Sequence, residues 1–294
     1  MNRPIIAAFT ATLVLALACC RVGCAAPQPP EGVAYQQNIE YGQGAGESLK
    51  LDLAWPEKST GKRPCVVVIH GGAWRAGNRN QHTDIIFALA QRGYVAATIS
   101  YRFCPKHRFP AQIEDAKCTV RFLRANADRY EIDTERFGAV GASAGAHLAM
   151  MLGVMDENDG LEGDGGHADE SSKVQAVVSF FGPTDLSADD IPTVTIPLLF
   201  DFIGGTKIKF PEKYRQASPI TYVDSGDAPM LLLQGTKDPL VPHSQVFKMI
   251  DALTEAGVKG RAEIIIGGGH GWGGKDLIRS LNQTYDFLDE QLKP

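Results

Sequence analysis

The chain has no C-x-x-C pair and no two histidines at ligand spacing, so nothing in it points to a metal site. It has no surplus of basic charge. The formal net charge is −5 at pH 7, which gives no reason to expect a nucleic acid or an anionic membrane as partner. It has no internal repeat, and its length suits one sizeable core. After the first two dozen residues there is no apolar run long enough to span a bilayer. One acidic, glycine-rich stretch, "DENDGLEGDGGHADESS", lacks the ligand spacing and the closing glutamate of a calcium loop, and reads as a solvated loop.

What is present begins with the N-terminus. Arg3 precedes "IIAAFTATLVLALACC", then small residues, then "PQPPEG". A basic start, an apolar centre and a small-residue exit make a secretory leader over residues 1–25, with a cut near Gly23–Ala26. Residues 26–294 are then expected to form one domain, secreted or periplasmic. Cys19, Cys20 or Cys24 could instead carry a lipid, but none has a clean leucine-rich approach. Loss of the leader removes Arg3 and Arg21 and no acid, so the remaining chain is more acidic still. Cys65 opens an apolar strand and reads as a buried small hydrophobe. Cys104 and Cys118 could pair in an oxidising compartment, although spacing does not fix connectivity.

Strand and helix patterns alternate along the rest. Residues 27–34 read as a loose linker, and "LKLDLAWP" as an antiparallel edge strand. "CVVVIH", "YVAATIS", "RFGAVG", "VQAVVSFFG", "MLLLQG" and "AEIIIG" read as strands, the most apolar of them covered on both faces. Between them "TDIIFALAQRG", "PAQIEDAKCTVRFLRANA", "AGAHLAMMLGVM", "SQVFKMIDALTEAG" and "DLIRSLNQTYDFLDEQL" read as helices. This order requires an α/β fold with a mostly parallel central sheet and helices on both faces. The irregular stretch from Pro183 to Gln216 interrupts it, and its place after a strand end suits a small cap-like insertion over a ligand site.

Chemistry concentrates at strand ends. "GASAGAHLA" carries Ser143 in G-x-S-x-G, between a strand and a small-residue helix, the context in which that pattern presents a nucleophile. A serine hydroxyl needs a base, and the base needs an orienting acid. Of seven histidines, His270 in "IGGGHGWGG" follows the last strand, with glycines that let its loop bend over the sheet. His147 lies one helical turn past the serine, His243 starts a helix as a potential cap, and His70 reads as bracing a turn. His82, His107 and His167 sit in polar stretches that read as exposed. Asp238 in "GTKDPLVP" is the preferred acid, on the strand just before that of His270; Asp185 in "FFGPTDL" is the runner-up. Asp115 falls inside a helix and reads as structural. Oxyanion donors are expected from the "HGGAW" turn and from the Ala144 N–H.

The order Ser143, Asp238, His270 is that of the α/β-hydrolases. The chain resembles the hormone-sensitive-lipase-like esterase branch of that superfamily, and within it the bacterial acetyl (xylan) and feruloyl esterases. The segments that carry the resemblance are "HGGAW", "SYRFCPKHRFPAQIEDAKCTVRFLRANA", "GASAGAHLA", "FFGPTDL", "GTKDPLVP" and "GGGHGWGG". Many lipase-like relatives have a third glycine where this chain has Ala73, followed by Trp74. The resemblance implies that the Gly72 and Ala73 N–H groups face the oxyanion, that Gly71 shapes the turn, and that Trp74 borders the substrate. It implies a serine esterase acting through an acyl-enzyme, with no metal or organic cofactor, on a small-molecule or polysaccharide-borne ester, acetyl esters foremost. A serine peptidase, a lipase or an arylformamidase-like amidase on the same fold are the rival enzymes. A catalytically silent binding module is the non-enzymatic rival.

Overall fold

A computed structural model describes residues 27–58 and 61–293. The proposed leader, with Cys19, Cys20 and Cys24, lies outside them. Eight strands are present among the described residues: β1 (Val33–Gly44), β2 (Glu47–Pro56), β3 (Arg63–Ile69), β4 (Val95–Ile99), β5 (Ile132–Ala142), β6 (Ala176–Phe180), β7 (Met230–Gly235) and β8 (Gly260–Ile265). They form one sheet in the order β1-β2-β4-β3-β5-β6-β7-β8. β1 pairs with β2, and β2 with β4, antiparallel; every other pairing is parallel. The helices are α1 (Thr83–Gln91), α2 (Ala111–Ala125), α3 (Ala127–Tyr130), α4 (Ala144–Val154), α5 (Ile196–Ile203), α6 (Pro211–Gln216), α7 (Ser244–Glu255) and α8 (Gly274–Leu292).

Every residue of β3, β4, β6 and β7 is buried, because helices cover both faces of the sheet there. On one face, Ile113 and Leu123 of α2, Leu148 and Met151 of α4, and Met249 and Leu253 of α7 pack against Val67, Ala139, Val177 and Leu232. On the other, Ile86 and Leu89 of α1 and Leu288 and Leu292 of α8 meet Val66, Val68, Val140 and Leu231. α4 is buried along its whole length, which explains a sequence of Ala, Gly, Leu, Met and Val in which His147 is the one polar residue.

Several expectations are corrected. The linker is shorter than 27–34, since β1 begins at Val33. β1 takes the sheet edge, so β2 is an interior strand. Cys104 and Cys118 are free and buried apart, their sulfurs facing the Ala73 and Tyr41 carbonyls. The acidic loop is not wholly solvated. Glu162 turns in to receive Lys117 at 2.7 Å and to pair with Arg121, two cations that α2 buries.

The insertion is more ordered than its sequence suggests. It holds α5 and α6, and a 3₁₀ turn at Pro219–Tyr222 follows it. Its two ends are pinned together. Thr184 accepts the Ile220 N–H at 3.1 Å, and Gln245 of α7 binds Thr184 through both its backbone and its side chain.

Candidate active site

Ser143 ends β5 and begins α4 in one sharp turn, with φ 54° and ψ −120°. That conformation is costly for a residue with a Cβ, and the surroundings enforce it. The Ser143 N–H donates to Phe180 O at 2.8 Å, and its carbonyl receives the His147 N–H at 3.0 Å. The small neighbours have a steric cause. A Cβ on Gly145 would lie 2.1 Å from Ile69 O, and one on Gly71 would lie 2.8 Å from Ala142 O. Two backbones touch where the serine is presented, and side chains would force them apart.

His270 reaches this turn from the loop after β8. A Cβ on Gly235 would stand 2.4 Å from Gly268 O and 2.5 Å from Gly269 O, so a bare backbone at the end of β7 lets the histidine loop close down. His270 Nε2 lies 2.8 Å from Ser143 Oγ, and His270 Nδ1 lies 2.8 Å from Asp238 Oδ2. Asp238 Oδ1 accepts the Leu240 and Val241 N–H groups, and Gln234 donates to Oδ2 at 3.0 Å. Burial works against the charge on Asp238. The His270 bond and the two backbone donors outweigh it and hold the carboxyl below the usual carboxylate range. Asp185, the runner-up, turns away: its Oδ1 accepts the N–H and the hydroxyl of Ser187.

The turn after β3 supplies donors. Gly72, Ala73 and Trp74 all have positive φ, at 117°, 53° and 57°. The turn is fixed because Gly72 O accepts the Arg75 and Ala76 N–H groups while Trp74 O accepts the Cys104 N–H at 2.9 Å. Arg102 anchors the Cys104 segment on buried Asp115, as expected of a structural carboxylate. Among the described residues the Gly72 and Ala73 N–H groups have no backbone acceptor. The Ala144 N–H opens α4, where no preceding turn can accept it. All three residues line one cleft of about 560 Å³ with Ser143 and His270. Pro183, Thr195 and Leu198 of the insertion form its far wall. Thr195 Oγ1 donates to Leu240 O, which ties that wall to the Asp238 loop.

Trp74 borders the cleft but is only 3% exposed. It stacks on Phe202 at 4.2 Å and donates to His147 Nδ1 at 3.3 Å, so it is a fixed wall rather than a free ring. His147 is fully buried, bonded to Ala217 O, and burial pushes its pKa down to about 4. His70 braces its turn as expected: it stacks on Tyr101, its Nδ1 lies 2.7 Å from Gly71 O, and its pKa also falls to about 4 through burial. His243 starts α7 without a side-chain cap bond. His107 is half-buried against Glu47.

His82 is the residue that sequence reading missed. It is half-buried in the cleft wall, and burial lowers its pKa. Asp52, buried in β2, holds Arg79 at 2.9 Å, and Thr98 binds the Arg79 carbonyl; these fix the turn that carries His82. A carboxylate inside a strand was the available signal. Among the described residues no group of three His, Cys, Asp or Glu side chains is placed to hold a metal ion. No helix among them is long and apolar enough to cross a membrane.

An eight-stranded sheet in this order, with a serine at the strand–helix turn and an Asp–His pair on the following strand ends, is the α/β-hydrolase architecture. The chain belongs to the BD-FAE family, whose model matches residues 51–253. It is 33% identical over 238 residues to esterase LipQ of Mycobacterium tuberculosis, covering 79% of this chain and 56% of that protein. The chain thus spans about half the length of the curated relatives it matches. A truncated carbohydrate esterase from gut microbiota superposes with a TM-score of 0.78 at 28% identity, covering 90% of this chain and 99% of that one. Propionate-bound esterase Est2 of Thermogutta terrifontis superposes with a TM-score of 0.74 at 26% identity, over 90% and 98% of the two chains.

Proposed function

We propose that the protein is a serine carboxylic-ester hydrolase that works through an acyl-enzyme. The observation that carries this reading is the unbroken chain Ser143 Oγ to His270 to Asp238 at the floor of an open cleft. His270 Nε2 takes the Ser143 proton as Oγ attacks the ester carbonyl. Asp238 holds the Nδ1 proton and stabilises the imidazolium. The N–H groups of Gly72, Ala73 and Ala144 receive the oxyanion. His270 then gives its proton to the leaving alcohol, and water repeats the cycle on the acyl-enzyme. No step calls for a metal or an organic cofactor.

The acyl group is short, acetyl foremost. On the oxyanion side the cleft is closed by Trp74, which Phe202 and His147 hold in place. The ester is borne on a small molecule or a polysaccharide; similarity to a carbohydrate esterase supports the second source. The leader read in residues 1–25 puts the domain outside the cytoplasm. The test is kcat/KM for acetyl, butyryl, octanoyl and palmitoyl esters of one alcohol. A fall with chain length is expected, and an optimum at octanoyl or beyond refutes the short-acyl reading.

A further inference from the structure

A second cavity, of about 310 Å³, adjoins the cleft and has no part in the chemistry above. It lies on the sheet face that α1 and α8 cover. Val68, Val140 and Phe180 form its floor, Ile85 of α1 one side, and Leu277 and Leu281 of α8 the other. Such volume and such walls suit a small apolar group. It meets the cleft where Gln81, His82, Ala142 and Phe181 line both. Phe181 stands at this junction. Its ring stands edge-on to His270 at 4.7 Å and to Trp272 at 5.4 Å, and its backbone is held at φ 46° by an N–H bond to Leu233 O. Trp272 is fixed in turn by Ser280 at 3.0 Å.

The direction of the reaction gives this slot a role. The carbonyl oxygen of a bound ester points at Gly72, Ala73 and Ala144. The alcohol oxygen must lie beside His270 Nε2, which protonates it as it leaves. The alcohol therefore extends on the His270 side, and Gly271 and Trp272, the two residues after His270, line the slot. Resting on the serine-esterase reading, we propose that the slot receives the apolar end of the leaving alcohol. Of the small molecule and the polysaccharide, this favours the first, against the source that similarity to a carbohydrate esterase supports: the preferred substrates are then short acyl esters of alkyl or aryl alcohols. In acylation the bond from Ser143 Oγ to the acyl carbon forms and the bond from that carbon to the alcohol oxygen breaks. The serine proton passes through His270 to the alcohol, which is then free to leave. A sugar hydroxyl gains nothing there.

The test uses ethyl, butyl, hexyl and benzyl acetate, which all give the same acetyl-enzyme. Wild-type kcat/KM should rise from ethyl to hexyl, by up to about fourfold per methylene buried. Leu281→Trp and Ile85→Phe fill the slot from opposite sides and should each cut the hexyl-to-ethyl ratio at least about tenfold. Neither should change single-turnover hydrolysis of the acetyl-enzyme, because the alcohol has gone by then. A flat alkyl series in the wild type overturns the proposal. So does acetylated xylan turned over faster than hexyl acetate, or a loss that follows acyl length in ethyl acetate against ethyl hexanoate. If the wild type hydrolyses none of these esters, the serine-esterase reading fails by itself, and calorimetric titration with benzyl alcohol decides the slot. Binding that both substitutions weaken about tenfold keeps it, and equal binding by all three chains overturns it.

Discussion

The carboxylates after β6 and β7 occupy comparable places in the sheet and end in different surroundings. Asp185 lies at the start of the insertion, and its Oδ1 takes both the N–H and the hydroxyl of Ser187, two residues on. Asp238 is met by His270, by two backbone N–H groups and by Gln234. A carboxylate at a strand end is thus not enough. What separates the two is Gly235, whose missing side chain admits the Gly268–Gly269 backbone and with it the imidazole.

The largest effect should come from removing the group that the Asp238 chain serves. Ser143→Ala is expected to lower kcat by about 10⁴-fold or more with the fold intact, measured as burst and steady-state ester hydrolysis. Near-normal turnover would refute the nucleophile. The two carboxylates can then be compared directly. Asp238→Asn favours the wrong imidazole tautomer and should cost about 10⁴-fold in kcat. Asp185→Asn should stay within about tenfold, since it disturbs only a local turn. Reversal of the two would move the acid to the earlier strand. Gly235→Ala leaves both carboxylates in place and pushes the histidine loop away. A misplacement of about 1 Å predicts a loss of roughly 10²-fold, with Asp238 and His270 still present. Full activity in this variant would mean that the loop does not need the close approach.

The smallest effect lies outside that comparison, on the two imidazoles that burial keeps neutral. His70 and His147 have pKa values pushed down to about 4 from 6.5. Between those values the unfolded chain binds more protons than the folded one. Stability should therefore be full above about pH 6.5 and fall as pH drops towards 4. Melting temperature from pH 7 to 4 measures this, and a His147→Gln chain should show a shallower fall. An equal slope would mean that His147 takes no part.

The parallel strands were legible because burial on both faces leaves unbroken apolar runs, as in "CVVVI" and "MLLLQG". The serine turn was legible because close backbone contact demands glycine and alanine at fixed positions. β1 was not. Its register shifts between Gln36 and Ile39 and again between Glu40 and Gly42, with Asn38 at φ 59°, so its alternation is broken in sequence. The insertion helices are short and carry proline in their first turn, and the packing of Leu199, Phe202, Ile203 and Tyr214 into the core, rather than propensity, holds them. His82 escaped because the turn that carries it is fixed by Arg79 on Asp52, two residues distant from each other along the chain. Cys104 lies in the turn before α2 and Cys118 within that helix, and their sulfurs face different carbonyls.

The knot of bonds at Thr184, Ile220 and Gln245 makes the insertion an exchangeable part. With its base fixed, the chain between those residues can lengthen or shorten wherever Thr195, Phe202 and Ala217 stay in place, because these three hold the Asp238 loop, Trp74 and His147. The entropic penalty is slight, since doubling a closed loop costs only about 0.6 kcal/mol. Substrate range can therefore change with little loss of catalytic power where those three contacts are kept. A cassette from a relative between Thr184 and Ile220 that keeps them should bring that relative's preferences with it.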